Sequence, residues 1–136
     1  MALIGFDAIT AGGAVGAAIG SGLSGVGPAP TTTKMQVDLD EAPKLIEGLK
    51  VAIDQLQQAY DEAQTIVTAA PAANDPYSGN VSVAMGSVAG ADQGGYCWAN
   101  EGARAALLKT IENIEKSMAG YSDRDTAASD SMTTKE

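Results

Sequence analysis

The residues of this chain that could take part in chemistry are carboxylates, tyrosines and one cysteine. The acidic pairs Asp61/Glu62 and Asp123/Asp125 fall on stretches that we expect to be solvated. Such carboxylates lack the apolar enclosure that tunes a group for acid–base catalysis or holds a cation. The chain has no His, and Cys97 is its only thiol, which excludes an intrachain disulfide and a Cys-rich zinc site. We therefore predict no catalytic residue, no metal site and no cofactor, and a protein that is not an enzyme.

The charge balance bears on the kind of partner. Seventeen acidic residues against eight basic ones give a formal net charge of -9. This charge opposes binding to phosphate backbones, so we expect no nucleic-acid partner. The expected role of Cys97 is that of a small apolar residue, and Trp98 should pack at mid-length of the helices or against a partner.

A heptad pattern fills the chain from about residue 38 to 70. Its alternating steps of three and four comprise Leu39, Ala42, Ile46, Leu49, Ile53, Leu56, Tyr60, Ala63, Val67 and Ala70. A row beside it, repeating every seventh position, comprises Leu45, Ala52, Ala59 and Ile66. This spacing predicts a coiled-coil-like helix whose apolar face is wide enough for more than one neighbour. Asp40 is the expected N-cap, with Pro43 in the first turn and Pro71 marking the end.

A turn rich in Pro and Asn leads into a second helical pattern. Asp75 followed by Pro76 is typical of a helix start. We predict one long helix over residues 79–120, with a kink or a change of buried face near Gly94–Gly95 and a stop at Gly120. Its apolar positions are Val81, Ala84, Met85, Val88 and Ala91, and then Leu107, Ile111, Ile114, Met118 and Tyr121.

Together these patterns predict an all-α fold, an antiparallel two-helix hairpin with helices at about 38–70 and 79–120. Two such helices cannot bury wide apolar faces against each other alone, so we expect the hairpin to complete a four-helix bundle with a partner, either a second copy or another helical hairpin. The predicted organisation is a flexible Gly/Ala-rich extension over residues 1–35, the hairpin domain over 36–122 and a polar tail over 123–136.

The N-terminal extension carries its own alternatives. Gly12, Gly16 and Gly20 have the spacing of a glycine zipper, and no residue from 8 to 33 is charged. A flexible arm, a membrane contact or self-association through residues 8–27, and a short extra helix all stay open. The stretch lacks the basic start and strongly apolar centre of a conventional secretory signal peptide.

From Val81 to Asp125 the chain resembles the PE domain of actinobacterial type VII (ESX) secretion substrates. The run Val81-Ser82-Val83-Ala84-Met85, followed by Val88, Gly90-Ala91 and Tyr96, is similar to the opening of that domain's second helix. The same frame continues without a gap to Tyr121 and Asp125, which match the family's Tyr-x-x-x-acid export signal. The Pro-Glu pair that names the family is absent here.

The resemblance implies a partner and a destination. PE-like hairpins pair with a PPE-type helical protein and leave the cell folded, so we expect a secreted or cell-envelope protein in which Tyr121 and Asp125 contact the secretion machinery. The residues implied to line the partner interface or the hairpin seam are Leu39, Ile46, Leu49, Ile53, Leu56, Leu107, Ile111, Ile114 and Met118. The alternative function is a homo-oligomeric helical scaffold, or a membrane-associated protein that uses the glycine zipper.

Overall fold

The computed structural model describes residues 2–10 and 31–133 of the chain. The elements in order are strand β1 (Leu3–Thr10), strand β2 (Thr31–Asp38), helix α1 (Ala42–Val67), helix α2 (Pro76–Ala89) and helix α3 (Tyr96–Thr133). The described part of the protein is therefore mostly helical, with one small antiparallel sheet. The expectation of an all-α fold is wrong in that one respect.

Strand β1 and residues 31–35 of β2 lie in the stretch that was predicted to be a flexible extension, and residues 36–38 lie in the predicted hairpin domain. Ile4 pairs with Val37 and Phe6 with Met35 in an antiparallel register. Alternate β1 residues, namely Ile4, Phe6 and Ala8, are buried, as the two-residue period of a strand requires when one face is covered. Burial of this face against the helices explains why residues 3–10 and 31–38 form strands. The glycine-zipper positions lie outside the described residues.

The main core lies where the sheet covers α1 and α3. Its buried members are Ile4, Phe6, Ala8, Ala42, Ile46, Ile111 and Ile114, and its partly buried members are Val37, Leu39, Leu45, Leu49, Ile53 and Met118. Polar contacts hold β1 along α3. The side-chain amide of Asn113 donates to the carbonyl of Asp7 at 2.7 Å, and the Ser117 hydroxyl donates to the carbonyl of Gly5 at 2.9 Å. The sheet is therefore attached to the helices by both apolar and polar contacts.

Helix α1 follows the heptad pattern closely but differs from it at both ends. Its N-cap is Glu41 rather than Asp40, and Pro43 falls in the first turn as predicted. The helix ends at Val67, before Pro71 is reached, with Thr68 as its C-cap and a tighter turn in which the Ala69 amide donates to the carbonyl of Ile66. The Thr68 amide and hydroxyl both donate to the carbonyl of Gln64.

The single helix predicted over residues 79–120 is instead two helices, α2 and α3. The break lies where a kink was expected, and two glycines explain it. Gly94 has a φ of 93°, which favours glycine. A Cβ on Gly95 would overlap the carbonyl oxygen of Gly90. That carbonyl accepts hydrogen bonds from the amides of Cys97 and Trp98, so it satisfies part of the N-terminus of α3.

Gly120 does not end the second helical segment, and the stop predicted there is wrong. Helix α3 runs through it to Thr133. One interior glycine costs a helix only about 0.5–1 kcal/mol relative to alanine. The residues that follow contain no proline to interrupt the backbone hydrogen bonds. The segment predicted as a polar tail therefore begins as exposed helix.

Candidate functional site

The most unusual surface of the protein is an apolar one formed by α2 and the end of α1. Helix α2 contains no charged residue, and it contacts α1 much more than α3. Several of its large side chains are exposed, and Val88 keeps 72% of its surface accessible. The set of exposed side chains that we call the α1–α2 apolar face consists of Ile66, Val67, Val81, Met85 and Val88. A group of exposed apolar side chains of this kind is typical of an interaction surface.

Two depressions run along this face and share side chains. The larger has a volume of about 580 Å³ and is lined by Ala59, Glu62, Ala63, Ile66, Ala84, Met85, Val88, Ala89 and Tyr96. The smaller, of about 410 Å³, lies towards the α1–α2 turn and includes Ile66, Tyr77, Val81 and Met85. Glu62 is the one ionisable carboxylate among these residues, so the surface suits apolar side chains better than a charged ligand.

Local contacts in the turn fix the position of α2. The Asp75 carboxylate accepts hydrogen bonds from the amides of Tyr77 (2.9 Å) and Ser78 (3.0 Å), so α2 begins at Pro76, as the Asp75-Pro76 pair indicates, and not at the predicted residue 79. These bonds, that of the Ser78 amide first, lower the pKa of Asp75 because they stabilise its charged form. Ser82 donates from its hydroxyl to the carbonyl of Ala69 at 2.8 Å. The apolar face thus lies on a capped helix that is hydrogen-bonded back to the turn.

A polar cluster links α1 to α3 between the core and the apolar face. Asn100, only 4% exposed, donates to the carbonyl of Leu56 at 2.8 Å and accepts from Arg104 Nε at 2.9 Å. Arg104 also binds the side chain of Gln57, and its guanidinium lies 4.9 Å from the centre of the Tyr60 ring. This arrangement fixes how the two helices are aligned along their length.

Tyr60 is the titratable group of that cluster. Its hydroxyl donates to Glu101 Oε1 at 2.9 Å, and this bond is the main reason that the pKa of Tyr60 is raised. The carboxylate opposes a second negative charge beside it, and so the phenol stays protonated to higher pH. The cluster is built from side chains that bond to one another, which fits a structural link between helices. The sequence patterns did not predict this cluster, because its contacts between α1 and α3 join residues that are more than forty positions apart.

The residues predicted to line a partner interface or the helical seam mostly lie inside this chain. Ile46, Ile111 and Ile114 are buried in the core under β1. Leu39, Leu49, Ile53 and Met118 pack against that core, and Leu56 and Leu107 are half-buried. The β-sheet therefore covers much of the face that the heptad pattern offered to a partner. A group of exposed apolar side chains lies instead on α2 and at the end of α1.

Tyr121 and Asp125 lie together on the exposed C-terminal part of α3. The helix continues through both positions, so the two side chains, four residues apart, share one face. Tyr121 is 37% exposed and lines a shallow groove with Leu3, Gly5 and Arg124. All residues from 121 to 133 are exposed. The geometry presents an aromatic ring and a carboxylate side by side.

The other residues with reactive side chains have ordinary surroundings. Both acidic pairs, Asp61/Glu62 and Asp123/Asp125, are exposed. Cys97 is fully buried, as expected of a small apolar residue, and its sulfur accepts from the Gln64 side chain at 3.5 Å. In the described part of the chain, no group of three or more His, Cys, Asp or Glu side chains is placed to hold a metal ion.

Comparisons with known proteins add no relative. No family model, no curated protein and no solved structure matches the chain. Within residues 2–10 and 31–133, no helix has both the length and the apolar character needed to cross a bilayer. The function is therefore inferred from the apolar face, from the helical pair Tyr121/Asp125 and from the sequence resemblance.

Proposed function

We propose that this protein is a non-catalytic binding module that pairs with a second helical protein through the α1–α2 apolar face. The observation that carries the proposal is the uncharged helix α2, whose valines and methionine stay accessible to solvent. Burying such side chains contributes about 25 cal/mol per Å² of apolar surface removed from water. A partner helix laid against Ile66, Met85 and Val88 would gain that energy and would add to the bundle formed by α1 and α3.

The proposed partner is a PPE-type helical protein, and the proposed destination is the cell envelope or the medium, through a type VII secretion machine. Two observations support this choice. The frame from Val81 to Asp125 resembles a PE domain, and Tyr121 and Asp125 occupy one exposed helical face one turn apart. A receptor that reads an aromatic ring and a carboxylate together would need this geometry, because both groups must reach it at once.

Partner pairing is tested with charged substitutions on the apolar face. Val88→Asp and Met85→Asp place a carboxylate where the partner should bind, and Leu108→Asp, an exposed apolar site on α3, is the matched control. A buried unpaired carboxylate is strongly unfavourable, so we expect the two α2 variants to lose co-purification with a co-expressed PPE-type protein of the native host. Equal co-purification by all three variants would exclude this face as the interface.

Export is tested in the native host by measuring the protein in culture filtrate and in cells. We expect Tyr121→Ala and Asp125→Asn to reduce the filtrate amount while the cellular amount holds or rises. Asp123→Asn is the control, since it removes the same charge from the same turn of the helix without touching the Tyr121/Asp125 pair. Undiminished export of the Tyr121 variant would reject the signal assignment.

A further inference from the structure

Within residues 2–10 and 31–133, strand β2 has an edge with which no other strand pairs. The amide of Leu39 donates to the carbonyl of Ala2 at 2.8 Å, which fixes the alternation of backbone groups along the hairpin. In β2 the residues that face β1 are then 33, 35 and 37, and those whose backbone N–H and C=O groups point outward are 32, 34, 36 and 38. In β1 the outward carbonyls of Gly5 and Asp7 are bonded by α3. The described sheet has two strands, so the outward groups of β2 meet no third one.

This edge is accessible to another molecule. Lys34, Met35 and Gln36 are exposed, and Met35 keeps 48% of its surface accessible although its neighbour across the sheet, Phe6, is buried. An uncovered strand edge with free donors and acceptors is a template for adding a strand. The question is which strand fits it.

We propose that β2 pairs antiparallel with β2 of a second copy of this chain, centred on Gln36, to give a continuous four-stranded sheet across a two-fold axis. The charge pattern of β2 selects this occupant. With Gln36 opposite its own counterpart, Lys34 lies opposite Asp38 of the second copy, and the two-fold axis repeats that ion pair. The exposed Met35 then lies opposite Val37 of the second copy, which extends the apolar side of the sheet.

Other two-fold registers fit less well. Centring on Lys34 places two ammonium groups directly opposite each other, which is repulsive. Centring on Met35 places Lys34 opposite Gln36 and leaves both charges without a directly opposed partner. Lysine on an edge strand commonly prevents unwanted pairing. Here it excludes one register, while Asp38 provides its partner in another.

The backbone can supply the hydrogen bonds for this register. The two Gln36 residues exchange both of their N–H···O bonds, and the Asp38 amide donates to the carbonyl of Lys34 in the other copy. The Asp38 carbonyl already accepts from the Glu41 amide at 3.0 Å, so it would use its second lone pair. The interface lies beyond the N-terminal end of α1, whereas the apolar face lies at the other end of that 26-residue helix. The dimer therefore leaves the apolar face open and does not depend on the function proposed for it.

The test measures the mass of the purified full chain by sedimentation over a range of protein concentration. We expect the wild type to approach twice the 13.7 kDa of one chain. Lys34→Asp and Asp38→Lys should each weaken dimerisation about tenfold or more, and an equimolar mixture of the two should recover a dimer, because every opposed pair is again of opposite charge. Lys50→Asp, an exposed change of equal charge on α1, should leave the dimer intact.

A second variant tests the backbone edge itself. Gln36→Pro removes the outward N–H at the two-fold centre and leaves the hydrogen bonds between β1 and β2 in place. We expect a monomer with wild-type helical circular dichroism. A wild type that stays monomeric to several hundred micromolar would overturn the proposal. So would a dimer that survives both Gln36→Pro and Lys34→Asp, or one that Val88→Asp abolishes, since that dimer would use the apolar face.

Discussion

The effect of replacing Phe6 by alanine distinguishes between two alternatives for β1. One is a strand packed on the helices, and the other is the flexible arm that the sequence suggested. Phe6 is 6% exposed and belongs to the core cluster with Ile111 and Ile114. In a flexible arm the substitution would have almost no effect on stability. In the structure it removes a ring from the interior. Leu3→Ala is the matched control, because Leu3 lies on the same strand but is 57% exposed.

The size of the effect follows from burial. Truncating a buried phenylalanine to alanine costs about 3–5 kcal/mol. Phe6 lies in a two-stranded sheet at the margin of the domain, where neighbours can partly collapse into the space, so we take the lower end, about 3 kcal/mol. With a urea dependence of about 1.5 kcal/mol per molar, the unfolding midpoint falls by about 2 M. Leu3→Ala should cost less than about 1 kcal/mol.

Urea unfolding followed by helical circular dichroism measures both variants, and fluorescence of the single Trp98 reports on α3. Hydrogen exchange of the strand amides shows whether the sheet opens alone before the helices unfold. Equal midpoints for Phe6→Ala and Leu3→Ala, together with unprotected β1 amides in the wild type, would refute the packing of β1 on the helices.

Three further predictions concern the helices. Gly95→Ala should lower the unfolding midpoint, because its Cβ would overlap the Gly90 carbonyl. The control Gly102→Ala, whose Cβ meets no atom within 4 Å, should stabilise the protein by about 0.5–1 kcal/mol. A higher midpoint for Gly95→Ala would contradict the close approach of Gly95 to Gly90. Asn100→Ala should cost about 1–3 kcal/mol in urea unfolding, since it removes bonds to Leu56 and Arg104, and a neutral result would mean that the cluster does not hold the helices. The pKa of Glu112 is lowered from 4.5 to about 2 by hydrogen bonds from Lys109 first and then from Lys116. The stability that the ionised Glu112 contributes is therefore present above pH 4.5 and is lost as the pH falls through about 2. In an NMR titration Lys109→Met should raise that pKa, and an unmoved value would exclude the pairing.

The helical regions were predictable because their signals are local. The heptad spacing from Leu39 to Val67 encodes α1, and Asp75-Pro76 encodes the start of α2, since a cap and its amides are close in sequence. The pair Gly94–Gly95 indicated where the predicted second helix would be distorted. It did not reveal a full break, because that depends on the Gly90 carbonyl folding back onto the start of α3.

The sheet could not be predicted with the same means. The alternation of Ile4, Phe6 and Ala8 is a strand signal, but Leu3 on the opposite face obscures it. A strand also needs partners, and those of β1 are distant. Its sheet neighbour begins at residue 31, and the helical residues that cover its apolar face lie more than thirty positions away on α1 and more than one hundred on α3. The short alternation in β1 cannot by itself show that this long-range packing forms, because strand preference depends on the neighbours that cover the strand.

The same packing explains where the uncovered apolar surface of α1 lies. The row Leu45, Ala52, Ala59 and Ile66 widened the predicted face of α1 beyond what one neighbouring helix can cover. At the N-terminal end of that face the chain supplies the cover itself, because Leu45 packs against the core beneath the sheet. At the C-terminal end Ile66 meets α2, a helix without charges that is itself largely exposed. One continuous apolar face is thus closed by the protein's own strands at one end and open at the other. We therefore propose that a partner binds at the end that α1 shares with α2, and not along the whole helix as the sequence predicts.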